Sequence, residues 1–101
     1  MELQELQKKI VAVVENYSKT HGIELTKDLA LIKIYEELWE FTKEFVLYTG
    51  KGRDKWEAHH ITKEKLAHEF ADFLCSSLFL AHLLDIDVKT AIEEKRLTYL
   101  K

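Results

Sequence analysis

The stretch of this chain richest in possible chemistry is "IYEELWEFTKEF", residues 34 to 45. Glu36, Glu37, Glu40 and Glu44 crowd a segment that is otherwise aromatic and aliphatic. On a helix, like charges three or four residues apart repel by ~0.2–0.5 kcal/mol per pair. Glu36/Glu40, Glu37/Glu40 and Glu40/Glu44 are such pairs. A second acidic pair, Glu69 and Asp72, follows in "EFAD". At ~100° per residue, Glu37 falls ~100° and Glu40 ~160° to one side of Leu38, with Glu44 between them. Glu69 and Asp72 fall at the same two offsets, on the same side, from Phe70. Ser76 continues that stripe. Two helices packed side by side would then bring four carboxylates together beside the core. Four close carboxylates do not all stay ionised without a cation. Hard oxygen ligands suit Mg²⁺, with Mn²⁺ as a substitute. Such ions keep water ligands and bind the phosphate oxygens of a substrate. A bound metal would offset the repulsion within α-helical "EELWE". The spacing alone says little: Glu2/Glu5 and Asp54/Glu57 share it, and a solvated helix face explains any single pair. The matched placement on two apolar helices carries the expectation.

The elements that must position these acids follow from periodicity and breakers. The chain has no proline, and its three glycines stand at 22, 50 and 52. Leu3, Leu6, Ile10, Val13 and Tyr17 recur at 3-4-3-4 spacing, the mark of an amphipathic helix, which should stop near "THG". Thr26 is placed to N-cap a second helix running to about Tyr48. Its apolar face is Leu31, Ile34, Tyr35, Leu38, Phe41 and Phe45, and Trp39 also reads as core. Residues 49–61 read as a long loop. Thr62 caps a third helix to about Leu84, and Asp87 caps a fourth through Ile92, Lys95 and Tyr99. With no strand-like alternation and no internal repeat, the expectation is an all-α, four-helix bundle forming one domain over residues 1–101. In the third helix, apolar residues from Phe70 to Leu84 fall on nearly every side. A helix apolar all round is buried all round, so a homo-oligomer, dimer or tetramer, packed through this helix is expected. Cover from the loop or the first helix is the alternative.

Bulk properties narrow the function classes. The chain has 101 residues, 47% apolar and 33% charged, with net charge −3. That is a globular composition, and no basic face points to nucleic acid. The longest weakly charged run, residues 70–84, is short of the ~20 residues of a membrane span. No secretory signal is visible at the start. The lone Cys75 allows no internal disulfide, so a reducing cytoplasmic setting is expected.

"EELWE" followed by "EFAD" resembles the EExxE…ExxD signature of the MazG-like all-α nucleoside triphosphate pyrophosphohydrolases. That superfamily includes dUTPases and phosphoribosyl-ATP pyrophosphohydrolases. "KIYEELWEF" is similar to its lysine-led metal helix. "LAHEFADFLCSSLFLAHLLDIDVKTAIEEK" resembles its second metal helix, an "LGID"-like turn and a final helix carrying lysine. The likeness covers about residues 30–101. It implies Mg²⁺-dependent cleavage of a (deoxy)nucleoside triphosphate between the α- and β-phosphates, giving a monophosphate and pyrophosphate. It also implies Glu37, Glu40, Glu69 and Asp72 as metal ligands. The metals would neutralise the phosphates and acidify an attacking water, whose proton Glu36 or Glu40 would take as general base. The sequence does not choose between those two. A phosphoribosyl-ATP or dUTP specialist is an alternative within the superfamily. Two departures stand out. Residues 41–68 make a 28-residue spacer between the acidic pairs, long for this signature. An asparagine often seen in the family's last helix is absent, with Thr98 near its place.

Four cations are candidates for substrate phosphate. Lys33 lies one turn before Glu37 and could contact phosphate or pair with Glu37. Arg53 sits in a Gly-flanked loop. Lys95 and Arg96 stand on the last helix, where helix-dipole compensation is the plain alternative. Glu57 and His60 form one Glu-x-x-His, whereas di-iron bundles use two. The competing class is a non-catalytic helical interaction module whose acidic stripes face solvent or a basic partner.

Overall fold

The computed structural model describes residues 1–50 and 61–100. The described residues form four α-helices, here α1 (Leu3–His21), α2 (Lys27–Tyr48), α3 (Lys63–Leu83) and α4 (Val88–Lys95), then a 3-10 turn at Leu97–Leu100. They contain no strand. The helix starts are where the capping residues put them. The Thr26 hydroxyl accepts from Leu29 N–H at 3.2 Å, and the Thr62 hydroxyl from Lys65 N–H at 3.1 Å. The Asp87 carboxylate accepts from Thr90 N–H at 3.1 Å. Each satisfies one of the orphan donors of a first turn.

Two helices end alike. After α1, Gly22 turns left-handed at φ 63°, its N–H reaching the Lys19 carbonyl while Ile23 N–H reaches Ser18. After α3, Asp85 takes the same part at φ 54°, with Asp85 N–H on His82 and Ile86 N–H on Ala81. These are paired Schellman closures. The fourth helix departs from expectation: it stops at Lys95 instead of continuing through Tyr99. Among the described residues it packs chiefly against its own 3-10 tail. A helix of eight residues with little tertiary packing lacks much of what sustains a helix in water.

Helix α3 is the hub, with α2 packed along it and α1 on another side. Gln7 of α1 donates its side-chain N–H to the Leu78 carbonyl of α3 at 2.9 Å. The small core gathers Val11, Ala30 and Phe79, one from each helix, with Val14, Leu25, Leu80 and Leu83 against it. Phe41 of α2 meets Phe70 of α3 edge to face at 5.3 Å.

The alternative of cover by the first helix holds on one side of α3: the Phe79–Leu83 side is covered by α1, and Phe79 is buried. Two expectations about faces are corrected. On α1, the inward residues are Leu3, Gln7, Ile10, Val11, Val14 and Ser18, whereas Leu6, Val13 and Tyr17 are exposed. Both stripes are apolar enough to have served, and the contact with α3 selects the first. On α2, Tyr35 and Trp39, read as core, are 66% and 60% exposed. Leu31, Leu38 and Phe45 are exposed with them, because α3 covers only one flank of that broad apolar face. No described helix is long and apolar enough to cross a membrane.

Candidate metal centre

Glu37 on α2 and Glu69 and Asp72 on α3 come together where the two helices run side by side. One carboxylate oxygen from each lies within 4.8 Å of the others. Among the described residues this is the one trio of metal-competent side chains so close. Glu37 and Glu69 are half-buried, and Asp72 is exposed. The i,i+3 spacing of Glu69 and Asp72 puts both on one flank of α3, and the α2–α3 contact sets Glu37 opposite.

The electrostatics express the crowding. The Glu37 carboxyl is raised above its ordinary range, first by burial and then by the Asp72 charge, with Glu36 and Glu69 adding to it. Lys33 works against the rise. Cys75, one turn beyond Asp72, has its thiol pushed up by burial and by Asp72. Glu69, with its side chain 18% exposed, is held at 3.3 Å by Lys65 one turn earlier on α3. That partner was not anticipated, although the i,i+4 spacing of Lys65 and Glu69 announces it.

Other expected site residues are placed differently. The Glu40 carboxylate is not among the three; half-buried, it pairs with Lys43 at 3.3 Å. Glu36 pairs with Lys33 at 3.4 Å, so Lys33 meets Glu36 and not Glu37. Glu44 is half-buried, with its Oε2 out of solvent and without a hydrogen bond among the described residues. Lys95 and Arg96, at the end of α4, are exposed and line no part of the cavity beside the acids. Arg53, with Glu57 and His60, lies outside the described residues.

That cavity was not foreseen. Helices α1 and α2 diverge from their shared contact with α3 and leave a groove of about 550 Å³. Its walls include Val13, Val14 and Tyr17 of α1 and Leu29 of α2, and Cys75, Ser76 and Phe79 form its floor. Lys33, Glu36, Glu37 and Asp72 line it too. The groove is thus apolar over most of its wall and charged along one part, a size and character typical of small-molecule sites. The stripe Val13–Tyr17 hinted at it, since apolar residues left over from a core face can line a cleft.

Three carboxylate oxygens within a few ångströms suit a hard divalent cation such as Mg²⁺. The arrangement can therefore hold a cation by Glu37, Glu69 and Asp72 and set it beside a groove with room for an organic group. No protein-family model, curated protein or solved structure matches this chain.

Proposed function

We propose that the chain is a Mg²⁺-dependent nucleotide pyrophosphohydrolase of MazG-like fold, working in the cytoplasm and cleaving a nucleoside triphosphate between its α- and β-phosphates. The observation that carries the reading is the joining of the Glu37–Glu69–Asp72 trio to the groove at its Lys33 side. The resemblance of "EELWE" and "EFAD" supplies the reaction class. Glu37, Glu69 and Asp72 would hold the ion, with Mn²⁺ as a substitute. Bound there, the ion supplies charge neutralisation for the phosphates and a more acidic water.

The chain's own residues have distinct tasks. Lys33 faces the groove with an exposed amine, 3.4 Å from Glu36, and can exchange that carboxylate for a phosphate oxygen. Glu36, once released, is a carboxylate on the groove wall and free to take a proton from water, the role of a general base. Glu40 is the weaker candidate for that role and for the metal, because it pairs with Lys43 away from the trio. The apolar walls receive the base and sugar and exclude water from the reacting end. Base and sugar class, including the dUTP and phosphoribosyl-ATP alternatives, follow from which substrate is turned over.

The test is turnover of the common ribo- and deoxyribonucleoside triphosphates with Mg²⁺, reading pyrophosphate against orthophosphate. Pyrophosphate release that falls at least ~100-fold in Asp72→Asn, in line with the loss of a group stabilising the reacting charge, is the expected result. Orthophosphate as the sole product, or turnover indifferent to Asp72→Asn, would sink the reading.

A further inference from the structure

We infer that Lys65 is the resident counter-ion of the acidic trio, displaced when a divalent cation binds and then received by Glu44. The role presupposes the cation site proposed above at Glu37, Glu69 and Asp72. One carboxylate oxygen from each of these acids lies within 4.8 Å of the others. Negative charges at such spacing repel and call for a positive charge beside them. Among the described residues, Lys65 is the one cation in an ion pair with a member of the trio, its Nζ 3.3 Å from Glu69 Oε1. Lys33 and Lys43 are taken by Glu36 and Glu40, outside the trio.

The pair is placed to exchange. Glu69 is mostly covered, but the Lys65 side chain is 53% exposed, and ion pairs with an exposed partner hold weakly. The ammonium also rides on a long, flexible stem. A dication on Glu69 and an ammonium about 5 Å from it repel enough, even in water, to change affinity roughly tenfold. The ion and the Lys65 ammonium therefore compete for the same carboxylate.

Helix register shows where the displaced ammonium goes. Helices α2 and α3 run antiparallel, Ala30 packing with Phe79 and Phe41 with Phe70. That register sets Glu44 level with Lys65 and Leu66. At ~100° per residue, Glu44 falls between Glu37 and Glu40 around α2, on the flank of the trio. Lys65, four residues before Glu69, shares the flank of Glu69 on α3. Glu44 Oε2 is out of solvent and has no hydrogen bond among the described residues. A buried carboxylate oxygen in that condition is unfavourable until a donor reaches it. The Lys65 ammonium, with its several N–H groups, supplies that donor by the movement of one side chain.

The test is Mg²⁺ binding to the full chain by calorimetry, with no nucleotide present. Lys65→Met should bind Mg²⁺ roughly tenfold tighter at low ionic strength, a gain that shrinks at about 1 M salt. Lys65→Arg keeps the charge and should stay within about twofold of the wild type. Methionine and arginine are as helix-prone as lysine, so both variants should keep the wild-type circular dichroism. Glu44→Gln should weaken binding several-fold in the wild type and hardly at all in Lys65→Met, where no ammonium is left to be received. Lys65→Met binding Mg²⁺ no tighter than the wild type would overturn the counter-ion role. A Glu44→Gln effect of equal size in both backgrounds would overturn the transfer to Glu44. A chain that releases no pyrophosphate yet binds Mg²⁺ more tightly without Lys65 would lose the proposed activity and keep its counter-ion.

Discussion

Glu37 is the acid on which burial and neighbouring charge act together, and its titration follows. A carboxyl raised above its ordinary value of 4.5 binds its proton more tightly folded than unfolded. The stability it lends is fully present below that value and is lost as pH rises through the raised one. A cation competes with the same proton, so the stabilisation by Mg²⁺ should be largest near neutral pH and shrink on acidification through a window that begins above 4.5. Thermal melts with and without Mg²⁺ between pH 4.5 and 7.5 would measure this. Glu37→Gln should remove the Mg²⁺ gain and raise the metal-free midpoint by a few degrees, through relief of ~0.5 kcal/mol of repulsion. Glu40→Gln should keep most of the gain, since its carboxylate is turned to Lys43. Equal effects of the two would mean that the ion sits elsewhere. The wheel brought out Glu37, Glu69 and Asp72 because they lie near the shared seam. It misplaced Glu40, although Glu40 and Asp72 have the same ~160° offset. The difference is in the helices: α3 is covered on its back by α1 through Phe79, so ~160° on α3 still faces the groove. On α2 the residue at the same angle, Glu40, is half-buried and turned to Lys43.

At the scale of elements, the helix ends were the most legible feature. Thr26, Thr62, Asp87 and Gly22 each carry a local signal that needs no tertiary context. The end of α4 was illegible for the opposite reason: nothing local stops the helix at Lys95. Which stripe of α1 turns inward was illegible too, because Leu6–Val13–Tyr17 and Val11–Val14 are both apolar and only the fit to α3 decides. Asp85 provides the element-scale prediction. It holds a left-handed conformation at φ 54° that glycine adopts without cost and other residues do not. Asp85→Gly should therefore stabilise the α3 closure by ~0.5–1 kcal/mol, measured as a higher urea midpoint at unchanged slope. A lower midpoint would show that the aspartate side chain makes up for its strained backbone.

For the whole molecule, the all-helical class and the helix count were legible from periodicity. The open side was not, because a single sequence does not say which of two apolar flanks another helix will cover. Exposed apolar residues lie on both helices, Leu31, Tyr35, Leu38, Trp39 and Phe45 on α2 and Phe70 and Leu74 on α3. Were the chain to assemble through exposed apolar residues of these helices, folding and association would be one equilibrium, and the thermal midpoint would rise with protein concentration. Scans over a hundredfold concentration range would check this, and a constant midpoint would point to a chain that is stable alone.

Cys75 is the one cysteine of the chain, and it lines the groove with its thiol pushed up by burial and by Asp72. The protein therefore carries a built-in reporter at its candidate site. A maleimide or a ¹⁹F label would attach at a single position, its rate set by how open the groove is. Anything that fills the groove would shield the thiol, and a cation at Asp72 would lower its pKa. The two kinds of ligand would then leave opposite kinetic signatures on the same atom, legible without engineering a probe into the chain.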